Sequence, residues 1–87
     1  MWHVYIVKCA DQTLYTGVAK DVDARISQHN SGRGARYTKG RQPVKLIYSE
    51  PAEDRATALR REHAIKRMPV ADKVKLVEQI TQTFPDK

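Results

Sequence analysis

Five side chains in this chain combine residue type and spacing in a way that permits chemistry: Tyr5, Tyr15, Arg25, His29 and Glu62. The first two are separated by what reads as a strand, a turn and a returning strand. If the turn Ala10-Asp11-Gln12 holds three residues, Cys9 pairs with Thr13, Val7 with Tyr15, and Tyr5 with Gly17. Side chains alternate between faces, so Tyr5, Tyr15 and Gly17 then share one face. Gly17 leaves a vacancy opposite the Tyr5 ring, where that ring or a ligand can approach the backbone. A two-residue turn would put the phenols on opposite faces, and tyrosines also serve strands through β-propensity alone.

Arg25 and His29 are four residues apart, on the side of a helix that also carries Val22 and Ile26. An arginine bordering a buried stripe requires an anion. A structural carboxylate is one candidate. A phosphate is the other, because the planar guanidinium suits phosphate oxygens in a two-point contact. His29 reads equally as a hydrogen-bonded core histidine. Glu62 lies three residues past Leu59 and three before Ile65, at or near a packed face. An acid there must be paired, with Arg25 or a neighbouring lysine, or must bind a cation.

The elements that must position these groups follow from periodicity and turn chemistry. Trp2 to Cys9 is rich in β-branched and aromatic residues and reads as a strand, with Thr13 to Ala19 returning. Asp21 or Asp23 caps a helix ending at Asn30-Ser31-Gly32. Gly32 to Gln42 is a glycine-dotted basic loop without hydrophobic period, and Val44 to Ser49 is a third strand. Pro51 opens a region that becomes a helix over about Glu53 to Arg67, and Pro69 breaks it. A last helix, about Val70 to Thr83, is expected to bury Val74, Val77 and Ile80, with Phe84 at its end. The order β-β-α-β-α-α predicts an α+β fold: a small three-stranded, largely antiparallel sheet flanked by helices, one domain over residues 1–87.

Sixteen Lys and Arg face ten Asp and Glu, a net charge of +6. The segment from Arg25 to Lys45 holds six bases (Arg25, Arg33, Arg36, Lys39, Arg41 and Lys45) and no acid. Elsewhere the charges cancel, so the whole excess sits in one segment, as on a polyanion-binding face. A solvated loop kept for solubility is the alternative. The single cysteine, Cys9, excludes an internal disulfide, and there is no paired Cys/His spacing for structural zinc. The apolar N-terminal stretch is too short for a signal peptide, and no run reaches membrane-span length. A soluble, cytoplasmic protein is expected.

Taken together, these residues resemble the GIY-YIG nuclease domain, from His3 to about Arg67. The naming motif stands here as His3-Val4-Tyr5 and Tyr15-Thr16-Gly17. Arg25 falls ten residues after Tyr15, where the family carries its catalytic arginine. His29 matches a position that is His or Tyr in many members, and Glu62 matches the metal-binding glutamate. The wording CADQTLYTG, QHNSGRGARYT and LRREHAIK resembles the small stand-alone bacterial members. There are departures. His3 replaces the first glycine, Val18 stands where some members have lysine, and a late asparagine has no clear counterpart. A second DNA-binding domain, which larger relatives use to choose targets, is missing.

The resemblance implies a divalent-metal-dependent phosphodiesterase on nucleic acid, DNA in preference to RNA, with low sequence specificity. Structure-selective cutting, a role in DNA repair or processing, and a protein partner that supplies target selection are compatible with it. One ion, Mg²⁺ or Mn²⁺, would be held through Glu62. Arg25 would contact the scissile phosphate, and His29 would assist proton transfer or bind phosphate. Tyr5 and Tyr15 would share the work of base or water orientation, with Tyr5 ahead. A phenol base needs cations close by, expected here from the metal, Arg25 and the basic loop. Gly17 would leave substrate room. Arg33, Arg36, Lys39 and Arg41 would hold backbone phosphates without reading sequence, and Tyr37 would stack on an unpaired base or bond a phosphate. Two other readings stay open: a nucleic-acid-binding module with weak or no cleavage, and a protein whose basic loop meets an acidic partner.

Overall fold

The computed structural model describes residues 1–83, and side chains as far as Glu78. β1 (Trp2–Lys8) and β2 (Leu14–Ala19) form a hairpin, and α1 (Val22–Asn30) follows. A 3-10 turn at Arg36–Thr38 interrupts the basic loop before β3 (Lys45–Ala52). α2 (Arg55–Lys66) and α3 (Val70–Thr83) complete the described chain. The sheet order is β2-β1-β3, antiparallel throughout. No helix among the described residues is long and apolar enough to cross a membrane.

The hairpin register is the one a three-residue turn dictates. Cys9 N–H donates to Thr13 O at 2.8 Å, Val7 faces Tyr15, and Tyr5 faces Gly17. Asp11 makes the tight turn possible: its carboxylate accepts from the Thr13 N–H at 3.1 Å and from the Thr13 hydroxyl. Gln12 takes the left-handed conformation, φ 74°.

β1 is the central strand and is covered on both faces, which explains its unbroken apolar run. Val4, Tyr5, Ile6 and Val7 are all fully buried. On one face Tyr5, Val7, Cys9, Ala19 and Val44 pack with Tyr15, Val22 and Ile26. On the other, Val4, Ile6, Tyr48, Ala52, Ala58 and Ile65 pack with residues that include Leu76 and Val77 of α3. α1 therefore covers one face, and α2 and α3 the other. An ion pair between Glu50 of β3 and Arg61 of α2, at 2.9 Å, fixes the rotation of α2 beside the residue that matters next, Glu62.

Three expectations are corrected. β3 runs on through Pro51, which pairs with His3. An edge strand tolerates a proline because one side of it makes no ladder bonds. α2 accordingly starts late, at Arg55, with the Asp54 carboxylate accepting from Thr57 N–H at 2.8 Å. Val74 is 43 % exposed, because α3 turns Leu76 and Val77 to the sheet instead. The Ile80 side chain and Phe84 lie outside the described residues.

These two valine and isoleucine environments predict opposite outcomes. Ile65→Ala should destabilise by about 2–5 kcal/mol, since it opens a cavity in the core. Val74→Ala should change stability by no more than about 0.5 kcal/mol. Urea unfolding of both variants checks the assignment of the inward face of the helices.

Candidate active site

Gly17 and Tyr5 meet as the hairpin register requires. A Cβ built on Gly17 would lie 2.6 Å from the Tyr5 hydroxyl oxygen and 3.1 Å from a Tyr15 ring carbon. The vacancy is thus filled by the Tyr5 ring, so Gly17 makes room for a phenol and not for substrate. Burial pushes the Tyr5 pKa up to about 12; Arg25 beside the hydroxyl pulls the other way, while Tyr15 and Glu62 add to the rise. Desolvation here outweighs the guanidinium, so Arg25 by itself does not make Tyr5 a ready base.

His29 is fully buried under the loop that follows α1. Its Nε2 lies 2.8 Å from the Tyr5 hydroxyl and its Nδ1 2.8 Å from Thr38 Oγ1. The Thr38 hydroxyl spends its one hydrogen on Ala35 O at 2.9 Å. His29 Nδ1 must then donate to Thr38 Oγ1, which leaves Nε2 to accept from Tyr5. The Ala35 N–H also points at Nδ1, at 3.4 Å, and makes the opposite demand. The shorter contact and the committed hydroxyl decide in favour of the Nδ1–H form. Burial, and then the charge of Arg25, holds the His29 pKa below its ordinary 6.5. The imidazole is therefore neutral at neutral pH, as an acceptor must be.

Among the described residues Arg25 has no carboxylate partner. Its Nη1 donates to Gln28 Oε1 at 2.8 Å, and the guanidinium lies beside Tyr5. Glu62, whose side chain is 17 % exposed, pairs instead with Lys66 at 3.2 Å. Lys66 Nζ also sits 5.6 Å above the Tyr15 ring, which places Glu62 next to the phenols although α2 packs on the opposite sheet face. Tyr15 remains partly exposed, with the His29 ring edge-on at 5.4 Å. The structure thus brings Tyr5, Tyr15, Gly17, Arg25, His29 and Glu62 into one neighbourhood from four elements.

The basic loop divides. Arg33, Arg36 and Lys39 are exposed and, among the described residues, form no ion pair. Arg41 is held by Asp11 at 3.0 Å, so it is not a free phosphate ligand here. Tyr37 is already engaged: it stacks on Tyr15 at 5.8 Å and carries the Arg41 guanidinium 4.3 Å from its ring centre. Sequence reasoning missed Thr38 and Gly34, while Lys66 is the neighbouring lysine it offered as one partner for Glu62. A Cβ on Gly34 would fall 2.2 Å from His29 Nδ1, so this glycine is small because the loop must cross the imidazole closely. Only the Glu62/Lys66 spacing of four carried a readable signal.

Among the described residues no cluster of three or more His, Cys, Asp or Glu could cage a metal ion. The donor set suits a different mode. A single carboxylate beside phenols fits Mg²⁺ or Mn²⁺ that keeps most of its waters and takes its other ligands from substrate. Lys66 would have to release the carboxylate. A shallow cleft of about 450 Å³ lies at the other end of α1, lined by His3, Lys20, Asp21, Val22, Asp23, Leu46 and Ser49. It holds none of the five residues, and its two acids oppose a polyanion.

The buried imidazole predicts a pH dependence. Its folded pKa is depressed, so its contribution to stability is complete above pH 6.5 and is lost as pH falls through the folded value. The urea midpoint of the wild type should decline on acidification below pH 6.5. His29→Gln should be less stable at pH 7.5, with a flatter pH profile over the same range.

A family model described as the GIY-YIG catalytic domain matches residues 1–70. UPF0213 proteins of Staphylococcus aureus strains Mu50 and N315 are 53 % identical over 76 residues, covering 87 % of this chain and 93 % of theirs. The solution NMR structure of the UPF0213 protein BH0048 from Bacillus halodurans is similar at TM-score 0.58 and 40 % identity, covering 91 % of this chain and 85 % of that one. The UPF0213 names carry no activity, whereas the domain match does. The strand-borne tyrosine pair and the fold therefore have one source: the chain belongs to the GIY-YIG family of nuclease-type phosphodiesterases, which act on nucleic acid.

Proposed function

We propose that this protein is a divalent-metal-dependent nuclease that cuts DNA with low sequence specificity, chooses sites by structure, and serves DNA repair or processing in the cytoplasm. One observation carries this reading. Arg25 stands beside the Tyr5 phenol with no carboxylate partner among the described residues, while Glu62 is held close by in an exchangeable ion pair. The bland alternative for Glu62 was a salt bridge to Arg25 or to a neighbouring lysine; the pair formed is the one with Lys66, and Arg25 is left to other partners.

The proposed roles follow from exposure. Tyr5 is wholly buried and donates its hydroxyl hydrogen bond to His29, so it does not meet water directly. Tyr15 is the partly exposed phenol; it orients the attacking water and, once its own proton has passed to solvent, takes the water's proton as the phenolate. This reverses the expected order of the two tyrosines. A phenol in that role needs positive charge near it, and Lys66 lies over its ring. Arg25 contacts a non-bridging oxygen of the scissile phosphate and offsets charge that develops in the pentavalent state. A divalent ion held by Glu62 would supply Lewis-acid polarisation and stabilise the leaving oxygen. Arg33, Arg36 and Lys39 bind backbone phosphates and read no bases.

A second reading has one observation in its favour: Lys66 already satisfies Glu62, as it would in a pure DNA-binding module. Incubation with single-stranded, duplex, flapped and branched DNA and with RNA, in Mg²⁺, Mn²⁺ or EDTA, separates the two. Glu62→Gln should cut cleavage at least about a hundredfold with DNA binding kept, and Arg25→Ala by about 10²–10³. Tyr15→Phe should lose about 10²–10⁴ in turnover. Tyr5→Phe should instead lose mainly stability, about 1–3 kcal/mol for the stranded imidazole nitrogen. Absence of metal-dependent cleavage by the wild type on every substrate would leave the binding reading.

A further inference from the structure

We infer that Asp11, Arg41 and Tyr37 form a positioning clamp that holds the Tyr15 ring in its working orientation, and that Arg41 is not a phosphate ligand. The inference rests on the nuclease reading above for the consequence of that positioning, though not for the clamp itself. Its parts come from places far apart in the chain. Asp11 belongs to the β1–β2 turn, and Arg41 lies thirty residues on, near the end of the basic loop.

Each contact has a defined geometry. One oxygen of the Asp11 carboxylate is used within the turn by Thr13, and the other accepts from Arg41 Nε at 3.0 Å. Arg41 Nη1 donates to Tyr37 O at 2.8 Å, and the Ala10 N–H donates to Arg41 O at 2.9 Å. The guanidinium then lies 4.3 Å from the centre of the Tyr37 ring, and that ring stacks on Tyr15 at an interplanar angle of 23°. Arginine's planar fork does three tasks at once: it pairs with a carboxylate, bonds a carbonyl and covers an aromatic face. A lysine can pair with Asp11 but cannot reproduce the fork.

The end of the clamp is Tyr15, the half-exposed phenol, with Lys66 also over its ring. Without Tyr37 against it, that ring would have freedom to turn away from the phosphate. A displacement of about 1 Å at a reacting group can cost on the order of a hundredfold in rate. The phosphate-ligand alternative makes the opposite prediction for Asp11. Removing an acid from a DNA-binding loop releases a base for phosphate and should strengthen binding.

The test uses the full chain with Asp11→Asn and Arg41→Lys. Asparagine keeps an oxygen for Thr13 and removes the charge that holds Arg41; lysine keeps the charge and removes the fork. Cleavage is followed on whichever labelled DNA the wild type cuts best, with Mg²⁺ or Mn²⁺. Both variants should lose about tenfold in kcat, with KM and the salt dependence of DNA binding nearly unchanged. The double variant should be no worse than either single one, because both remove the same clamp. Melting temperatures should stay close to wild type, since an exposed ion pair contributes little to stability. The aromatic proton NMR signals of Tyr15 should move toward unstacked positions in both variants. Full kcat with tighter DNA binding in Asp11→Asn, or unmoved Tyr15 signals, would overturn the clamp. If the wild type cuts nothing, the nuclease reading fails, and the Tyr15 signals still decide the positioning claim.

Discussion

A buried chain of hydrogen bonds organises this molecule: Tyr5 hydroxyl to His29 Nε2, His29 Nδ1 to Thr38 Oγ1, and Thr38 hydroxyl to Ala35 O. It ties the central strand to α1 and to the basic loop. All three side chains are essentially inaccessible to water, so each polar atom depends on the next. The two glycines that approach it are small for that reason. Gly17 admits the Tyr5 ring and Gly34 lets the loop pass over the imidazole. A chain with few apolar residues to spare thus orders a glycine-dotted loop by polar contacts. Asn30 adds the far anchor: its side chain bonds both Val44 N–H, at 2.7 Å, and Val44 O.

On this frame the charges are left in a particular state. Among the described residues Arg25 touches phenol and amide but no carboxylate. Glu62 is neutralised by a lysine one helical turn away, on a flexible stem that can withdraw. Arg33, Arg36 and Lys39 face solvent. On the proposed function, a polyanion entering this side would meet these cations first and the Glu62 carboxylate second. The opposite end of α1 carries acids, which discourages the wrong approach.

Much of this was legible in the residues themselves. A three-residue turn, one of two lengths the sequence leaves open, puts Tyr5, Tyr15 and Gly17 on one face, and that is the register found. The Leu59–Ile65 bracket put Glu62 near a packed face, as its low exposure bears out. What escaped was long-range. The reading of His29 as a hydrogen-bonded core histidine holds, but nothing local announces that Thr38 and Gly34 will cover it. Arg41 looked like a free base because its acid lies thirty positions away, in a turn. Pro51 read as a helix opener because its edge position in β3 depends on which strand becomes central. Val74 and Val77 fit one helical stripe equally well, and only the packing of α3 on the sheet chooses between them.

The central claim is that His29 is a neutral acceptor for Tyr5, with its proton on Nδ1. Long-range ¹H–¹⁵N correlation of the imidazole at pH 7.5 reads this directly. The account predicts a protonated, donor-type Nδ1 and an unprotonated, acceptor-type Nε2. A proton on Nε2, or a doubly protonated ring, would contradict it, because Tyr5 would then have no acceptor and the buried chain would run the other way.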